Sequence, residues 1–196
     1  MKRILVLGDS LSGGFGLKPS LAWPALIIKK LDAVGLNNFE ITNASQTGGT
    51  TAGGLQRLPP HLKRRVDIFI LELGINDAFR GVPIAEIRKN LQAIIETVKA
   101  SDPNVRIVIA GMQLPNYWMD DYVSSFGQIY ADLAAKNDAT LIPYLLEGVG
   151  GDPRLNQPDH IHPNSAGQRI LAENVWRVIE PIAREVATAK GAARVQ

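Results

Sequence analysis

Ser10 follows the apolar run Ile4-Leu5-Val6-Leu7 and the turn residue Gly8, so its hydroxyl is delivered just beyond the end of a strand. Far downstream, Asp159-His160-Ile161-His162-Pro163 supplies a carboxylate and two imidazoles. A hydroxyl, a base to deprotonate it and a carboxylate to orient the base are the parts needed to attack an ester or amide carbonyl. The fourth requirement is a set of donors for the oxyanion that develops as the carbonyl is attacked. Gly48, in Ser45-Gln46-Thr47-Gly48-Gly49-Thr50-Thr51, can offer a backbone N–H, and Asn76, in Gly74-Ile75-Asn76-Asp77, a side-chain amide. In this reading Ser10 attacks and His162 takes and returns the proton. Asp159 fixes the imidazole tautomer, and Ser10, Gly48 and Asn76 hold the oxyanion.

Each of these residues also has an ordinary use. A serine after a strand commonly caps a helix, and Asn76-Asp77 could close a turn. Asp159, His160 and His162 could be metal ligands, but only one further histidine and no cysteine accompany them, so no metal is expected. A flavodoxin-like binding module would use the glycines between Gly13 and Gly16 to cradle a phosphate, yet that loop lacks the lysine of a P-loop. No glycine lies two residues after Ser10, which argues against an α/β-hydrolase elbow. Asp9 is assigned to backbone donors around the serine, His160 to the surface and His61 to solvent.

The elements that must position these residues are legible as periodicity. The continuous apolar run at 4–7 reads as a strand buried on both faces, 68–73 as the clearest central strand, and 39–44, 105–110 and 140–142 as further strands. Trp23-Pro24 opens a helix that Gly35 stops, with Leu26, Ile27, Leu31 and Val34 as its buried stripe. Gly53, Gly54, Pro59 and Pro60 weaken a helix over 52–63. Pro83 starts an amphipathic helix carrying Ile84, Ile87, Leu91, Ile94, Ile95 and Val98, and another spans 121–136. Asn164 caps the last helix, which buries Ile170, Leu171, Val175, Val178 and Ile179 and which Pro181 should kink or restart.

Strands alternating with helices imply a three-layer α/β/α sandwich around a flavodoxin-like, five-stranded parallel sheet of order 2-1-3-4-5. In that order Ser10, Gly48 and Asn76 share one rim. One domain over 1–187 with a flexible tail at 188–196 is expected.

At 196 residues, 45% hydrophobic, 20% charged and of net charge +2, the chain has the composition of an ordinary globular protein. Its charge is too small and too evenly spread for a nucleic-acid partner, and Lys63-Arg64-Arg65 is assigned to a solvated helix end. No apolar run approaches the ~20 residues of a membrane span. Without cysteine there are no disulfides. Met1-Lys2-Arg3 leads straight into the first strand, which reads as cytoplasmic; a periplasmic or secreted chain that had lost its leader would look the same. The oligomeric state is left open, a homo-oligomer included.

Over essentially its whole length the sequence resembles the SGNH hydrolases, also called the GDSL esterase/lipase family. Its four blocks occur in order as Gly8-Asp9-Ser10-Leu11-Ser12, Asn43-Ala44-Ser45-Gln46-Thr47-Gly48, Gly74-Ile75-Asn76-Asp77 and Asp159-His160-Ile161-His162-Pro163. Leu73-Gly74-Ile75-Asn76-Asp77-Ala78-Phe79-Arg80-Gly81 and Leu114-Pro115-Asn116-Tyr117 are similar to the bacterial branch of arylesterases and acyl-CoA thioesterase/lysophospholipases. Ile75 stands where the nearest thioesterases tend to have glycine, which bears on pocket width. The resemblance implies the roles given to Ser10, Gly48, Asn76, Asp159 and His162, with Gly49 a competing oxyanion glycine. It implies no cofactor, and an acyl pocket bordered by Met112, Leu114, Pro115, Tyr117, Trp118 and Met119. The expected activity is hydrolysis of small to medium acyl or aryl esters through an acyl-serine, with thioesterase and lysophospholipase activity beside it. A carbohydrate O-acetyl esterase or acyltransferase using the same triad is the alternative, and a non-catalytic binding module the remote one.

Overall fold

The apolar runs become five parallel strands in this computed structural model, which describes residues 1–114 and 121–189. They are β1 (Lys2–Leu7), β2 (Phe39–Asn43), β3 (Ile68–Leu71), β4 (Arg106–Ala110) and β5 (Thr140–Ile142), in the order β2-β1-β3-β4-β5. Ile4 to Leu7 and all of β3 are at most 1% exposed, as strands covered on both faces must be. Val6 pairs with Asn43, Leu7 with Leu71, Leu71 with Ile109 and Ala110 with Ile142, so the carboxyl ends are level. The loops that follow them therefore open on one rim.

The helices are α1 (Ser10–Gly13), α2 (Trp23–Ala33), α3 (Thr51–Arg57), α4 (Ile75–Phe79), α5 (Ile84–Ser101), α6 (Asp121–Asn137) and α7 (Ser165–Thr188). α2 packs with α7 on one side of the sheet, and α3, α5 and α6 pack in series on the other. The amphipathic stripe of α5 lands as its period demands, with Ile87, Leu91, Ile94, Ile95 and Val98 all fully buried. Each such side chain contributes about 1.5–3 kcal/mol of burial. Among the described residues no helix is long and apolar enough to cross a membrane.

Several elements differ from the sequence expectation. α3 ends at Arg57, and a 3-10 turn over Pro59–Lys63 replaces its second half, because two successive prolines remove helical donors. Pro181 does not restart the last helix, which runs unbroken to Thr188. Pro181 is exposed, so the carbonyl deprived of its partner can be met by water, while Ile179, Ile182 and Ala183 anchor the helix on both sides. Val34, expected in the α2 stripe, caps that helix and is 39% exposed. The tail from residue 190 lies outside the described residues.

Candidate active site

Ser10 is the first residue of α1, and three features hold that short helix. Asp9 caps it by accepting the Leu11 N–H at 2.9 Å, and Gly14 closes it in the left-handed conformation, φ 69°. Gln168 of α7 accepts the Trp23 N–H at 2.8 Å and donates to the Leu11 carbonyl at 3.1 Å, fastening α1 and α2 to α7. Gly8 is required by close approach: a Cβ there would stand 2.6 Å from Glu72 Oε2 and 2.7 Å from Ser12 Oγ. From α3, Arg57 donates to the carbonyls of Gly8 at 2.7 Å and Ala44 at 3.2 Å, joining the exits of β1 and β2.

His162 is held from the opposite side of the rim. Asn164 caps α7 by accepting the N–H groups of Ala166 and Gly167, and its amide donates back to the Arg154 carbonyl at 2.9 Å and to that of Asn156. The Gln157 N–H donates to the His162 carbonyl at 2.7 Å. His160 is exposed and bends the chain with a left-handed φ of 59°, a conformation costly for a residue with a Cβ. The bend lets Asp159 Oδ1 accept from the N–H groups of both Ile161 and His162 at 3.0 Å.

Asp159 Oδ2 then lies 2.7 Å from His162 Nδ1, and His162 Nε2 lies 3.0 Å from Ser10 Oγ. A carboxylate on Nδ1 assigns the proton to that nitrogen and leaves the Nε2 lone pair facing the hydroxyl. Donation from the His162 backbone N–H, then from its imidazole and the Ile161 N–H, holds the Asp159 carboxyl down at about 2. Asp159 is thus an anion wherever the protein is folded near neutrality.

Around the hydroxyl, the two adjacent glycines differ. The Gly49 N–H donates to the Gln46 carbonyl at 2.9 Å, whereas among the described residues the N–H groups of Gly48 and Ser10 have no acceptor. Gly48 has a φ of 69°, and its carbonyl accepts from Arg80 at 3.2 Å. The Asn76 amide donates to Asp9 Oδ2 at 2.9 Å and to the Gly49 carbonyl at 3.1 Å. Both of its hydrogens are engaged, which the sequence reading did not anticipate.

Two residues escaped that reading. Phe15 stacks on His162 with ring centroids 4.4 Å apart and planes at 38°, while remaining 43% exposed. Its N–H donates to the Ser10 carbonyl at 3.1 Å and its carbonyl accepts from Gln157 at 2.6 Å, so the ring is pinned by its backbone. Glu72, one residue beyond β3, has no exposed surface and touches the serine loop through Asp9 and Ser12. Its signal was available as a lone charge inside an apolar run; an aromatic among glycines gave none.

Of the residues expected along the acyl pocket, Met112 and Leu114 are packed in the core, 1% and 3% exposed, rather than presented at an open surface. The chain stays apolar past the end of β4 at Ala110, and both side chains join the hydrophobic core cluster. Pro115, Tyr117, Trp118 and Met119 lie outside the described residues. Among the described residues no three His, Asp or Glu side chains are grouped to hold a metal ion.

Serine, histidine and aspartate in hydrogen-bonded series, on the carboxyl rim of a flavodoxin-like sheet, define the SGNH class of hydrolase site. The chain belongs to the GDSL-like lipase/acylhydrolase family, whose sequence profile matches residues 6–170. It is 38% identical over 182 residues to the esterase TesA of Pseudomonas aeruginosa, covering 92% of this chain and 89% of that one. It is 36% identical to thioesterase 1/protease 1/lysophospholipase L1 of Escherichia coli, covering 91% of this chain and 84% of that one. A crystal structure of TesA matches with a TM-score of 0.87 at 38% identity, covering 92% of this chain and 99% of that one. The esterase EstA from Pseudoalteromonas sp., in a structure inhibited by monoethylphosphonate, matches with a TM-score of 0.85 at 28% identity, covering 92% and 98%.

Proposed function

We propose that the protein is a serine esterase, with thioesterase and lysophospholipase activity, that works through a covalent acyl-serine. The observation that carries this reading is the unbroken series Asp159–His162–Ser10, at 2.7 and 3.0 Å. Ser10 Oγ attacks the carbonyl carbon as its proton passes to His162 Nε2, and the anion of Asp159 stabilises the imidazolium that forms. Collapse of the tetrahedral intermediate breaks the bond to the leaving oxygen or sulfur, which takes the proton from His162. Water then repeats the sequence against the acyl-serine and frees the acid.

The oxyanion falls to the donors that have no acceptor among the described residues, the N–H groups of Ser10 and Gly48. The commitment of the Gly49 N–H to Gln46 favours Gly48 over its neighbour. Asn76 joins them by exchanging its longer bond, to the Gly49 carbonyl, for the oxyanion while keeping Asp9. The leaving group departs on the imidazole side, because His162 must reach it, and there the exposed ring of Phe15 offers an apolar face. Aryl and other apolar alcohol portions suit that face.

The test is hydrolysis of 4-nitrophenyl esters from acetate to dodecanoate by the wild type and Ser10→Ala in parallel. Turnover should vanish in the variant, and an alkyl phosphonate should inactivate the wild type with the adduct on the peptide containing Ser10. Turnover that persists in Ser10→Ala, or an adduct elsewhere, would remove Ser10 as the nucleophile.

A further inference from the structure

Glu72 is fully buried beside the nucleophile loop, and its two oxygens are treated differently. Oε2 accepts the Asp9 N–H at 3.0 Å and the Ser12 hydroxyl at 2.6 Å, while among the described residues Oε1 meets no donor. The side chain of Asp9, also fully buried, lies within hydrogen-bonding reach of Glu72. Asp9 has donors on both oxygens: the Leu11 N–H on Oδ1 and the Asn76 amide on Oδ2. One cation serves both carboxyls, the Arg57 guanidinium reaching in from α3. His162 acts on Asp9 from the loop before α7. From α6 the Tyr130 hydroxyl donates to the Leu73 carbonyl at 3.1 Å, and it feels the charges of both carboxyls and of Asp77 on α4.

Two ionised carboxyls against one guanidinium would leave a negative charge buried and one of its oxygens unpaired, which protein interiors avoid. A proton on Glu72 Oε1 removes both defects, since a neutral acid carries no charge and its O–H donates. We propose that Glu72 is a neutral acid at physiological pH, that it donates from Oε1 to the carboxylate of Asp9, and that this buried pair positions the nucleophile loop and the Asn76 amide.

The direction of titration agrees. Burial, followed by the charge of Asp9, pushes the Glu72 carboxyl well above the usual carboxylate range. Burial raises Asp9 to about 6, restrained chiefly by donation from the Leu11 N–H. The proton therefore stays on Glu72 and the charge on Asp9. An Asp9 anion is what the start of α1 and the amide of Asn76 both require, so Glu72 is a positioning residue acting through Asp9. The catalytic half of this inference rests on the roles proposed for Ser10 and Asn76; the protonation half does not.

The direct experiment is carboxyl-carbon NMR of the wild type labelled at glutamate. One glutamate should keep the chemical shift of the neutral acid from pH 5 to 8, where an ordinary glutamate shows that of the carboxylate, and that resonance should vanish in Glu72→Gln. A full set of glutamates titrating in the ordinary range would overturn the proposal, whatever the enzyme hydrolyses. Glu72→Gln keeps a carbonyl for Asp9 N–H and Ser12 and an N–H for Asp9, so it mimics the neutral acid. Glu72→Ala should lower kcat on the order of tenfold or more with little change in KM, and the glutamine variant should restore it to within roughly threefold. A glutamine variant as impaired as the alanine one would show that Glu72 acts as an anion.

Discussion

Phe15 is the residue whose role depends least on sequence logic and most on geometry. Its ring covers one face of the imidazole that must hand a proton to the leaving group, so removing it affects substrates according to what leaves. Aromatic pairs are worth about 0.5–1.5 kcal/mol beyond area burial, roughly two- to tenfold in rate. Phe15→Ala should lower kcat/KM for phenyl acetate by about that factor more than for ethyl acetate, where the acyl part is the same. Equal losses on both would make Phe15 a support for His162 alone. Ser10, Asp159 and His162 were legible because the chemistry of acyl transfer demands those types, and the strand order then gathers them. Phe15 was not, because stacking across 147 residues leaves no local pattern, and Gln157, which pins its backbone and packs where Gly16 leaves room, is informative only once folded.

Among the elements, α7 carries the catalytic loop on its N-terminus. Asn164 does two jobs with one side chain: its oxygen caps the helix and its amide ties the Arg154 and Asn156 carbonyls. Asn164→Ala should cost about 1–2 kcal/mol in urea unfolding from the lost cap. It should also lower kcat, since the loop that sets Asp159 and His162 loses its tether, whereas Asn164→Asp should restore the cap and not the tether. If kcat in Asn164→Ala stays at the wild-type value, the Asn164 tether is not what sets Asp159 and His162. The cap was readable from an asparagine before an apolar period, and α5 from its stripe. The turns at Ser10 and Asn76 were not readable as helices, because four or five residues span too little of a helical period to show one.

For the molecule as a whole, the titrating groups pull stability and activity apart in pH. Asp9, raised to about 6 by burial, and Glu72, raised further, hold protons in the folded state that the unfolded chain releases. Their contribution is complete below the unfolded carboxyl range of about 4 and is lost as pH rises through the folded values. Asp159 and Asp152 behave oppositely, held at about 2 by the N–H groups of His162 and by Arg154 respectively. What they contribute is present above about pH 4 and lost as pH falls toward 2, and because both are solvent-accessible that limb is shallow and weakened by salt. His61, lowered by burial and by Arg3 and Arg57, gives stability back as pH rises, but it is one partly exposed group against two fully buried carboxyls. The thermal midpoint should therefore be highest at about pH 4–5 and decline toward neutrality. Over that same interval kcat/KM should rise, because Asp9, raised to about 6, must become an anion to hold the start of α1 and the Asn76 amide. Melting curves from pH 3 to 8, at low and high salt, check this. Salt should flatten the acid limb and leave the neutral limb, since the groups behind the latter are sealed from counterions. A midpoint that climbs steadily to pH 7 would mean that the buried pair on the nucleophile loop releases its proton on folding.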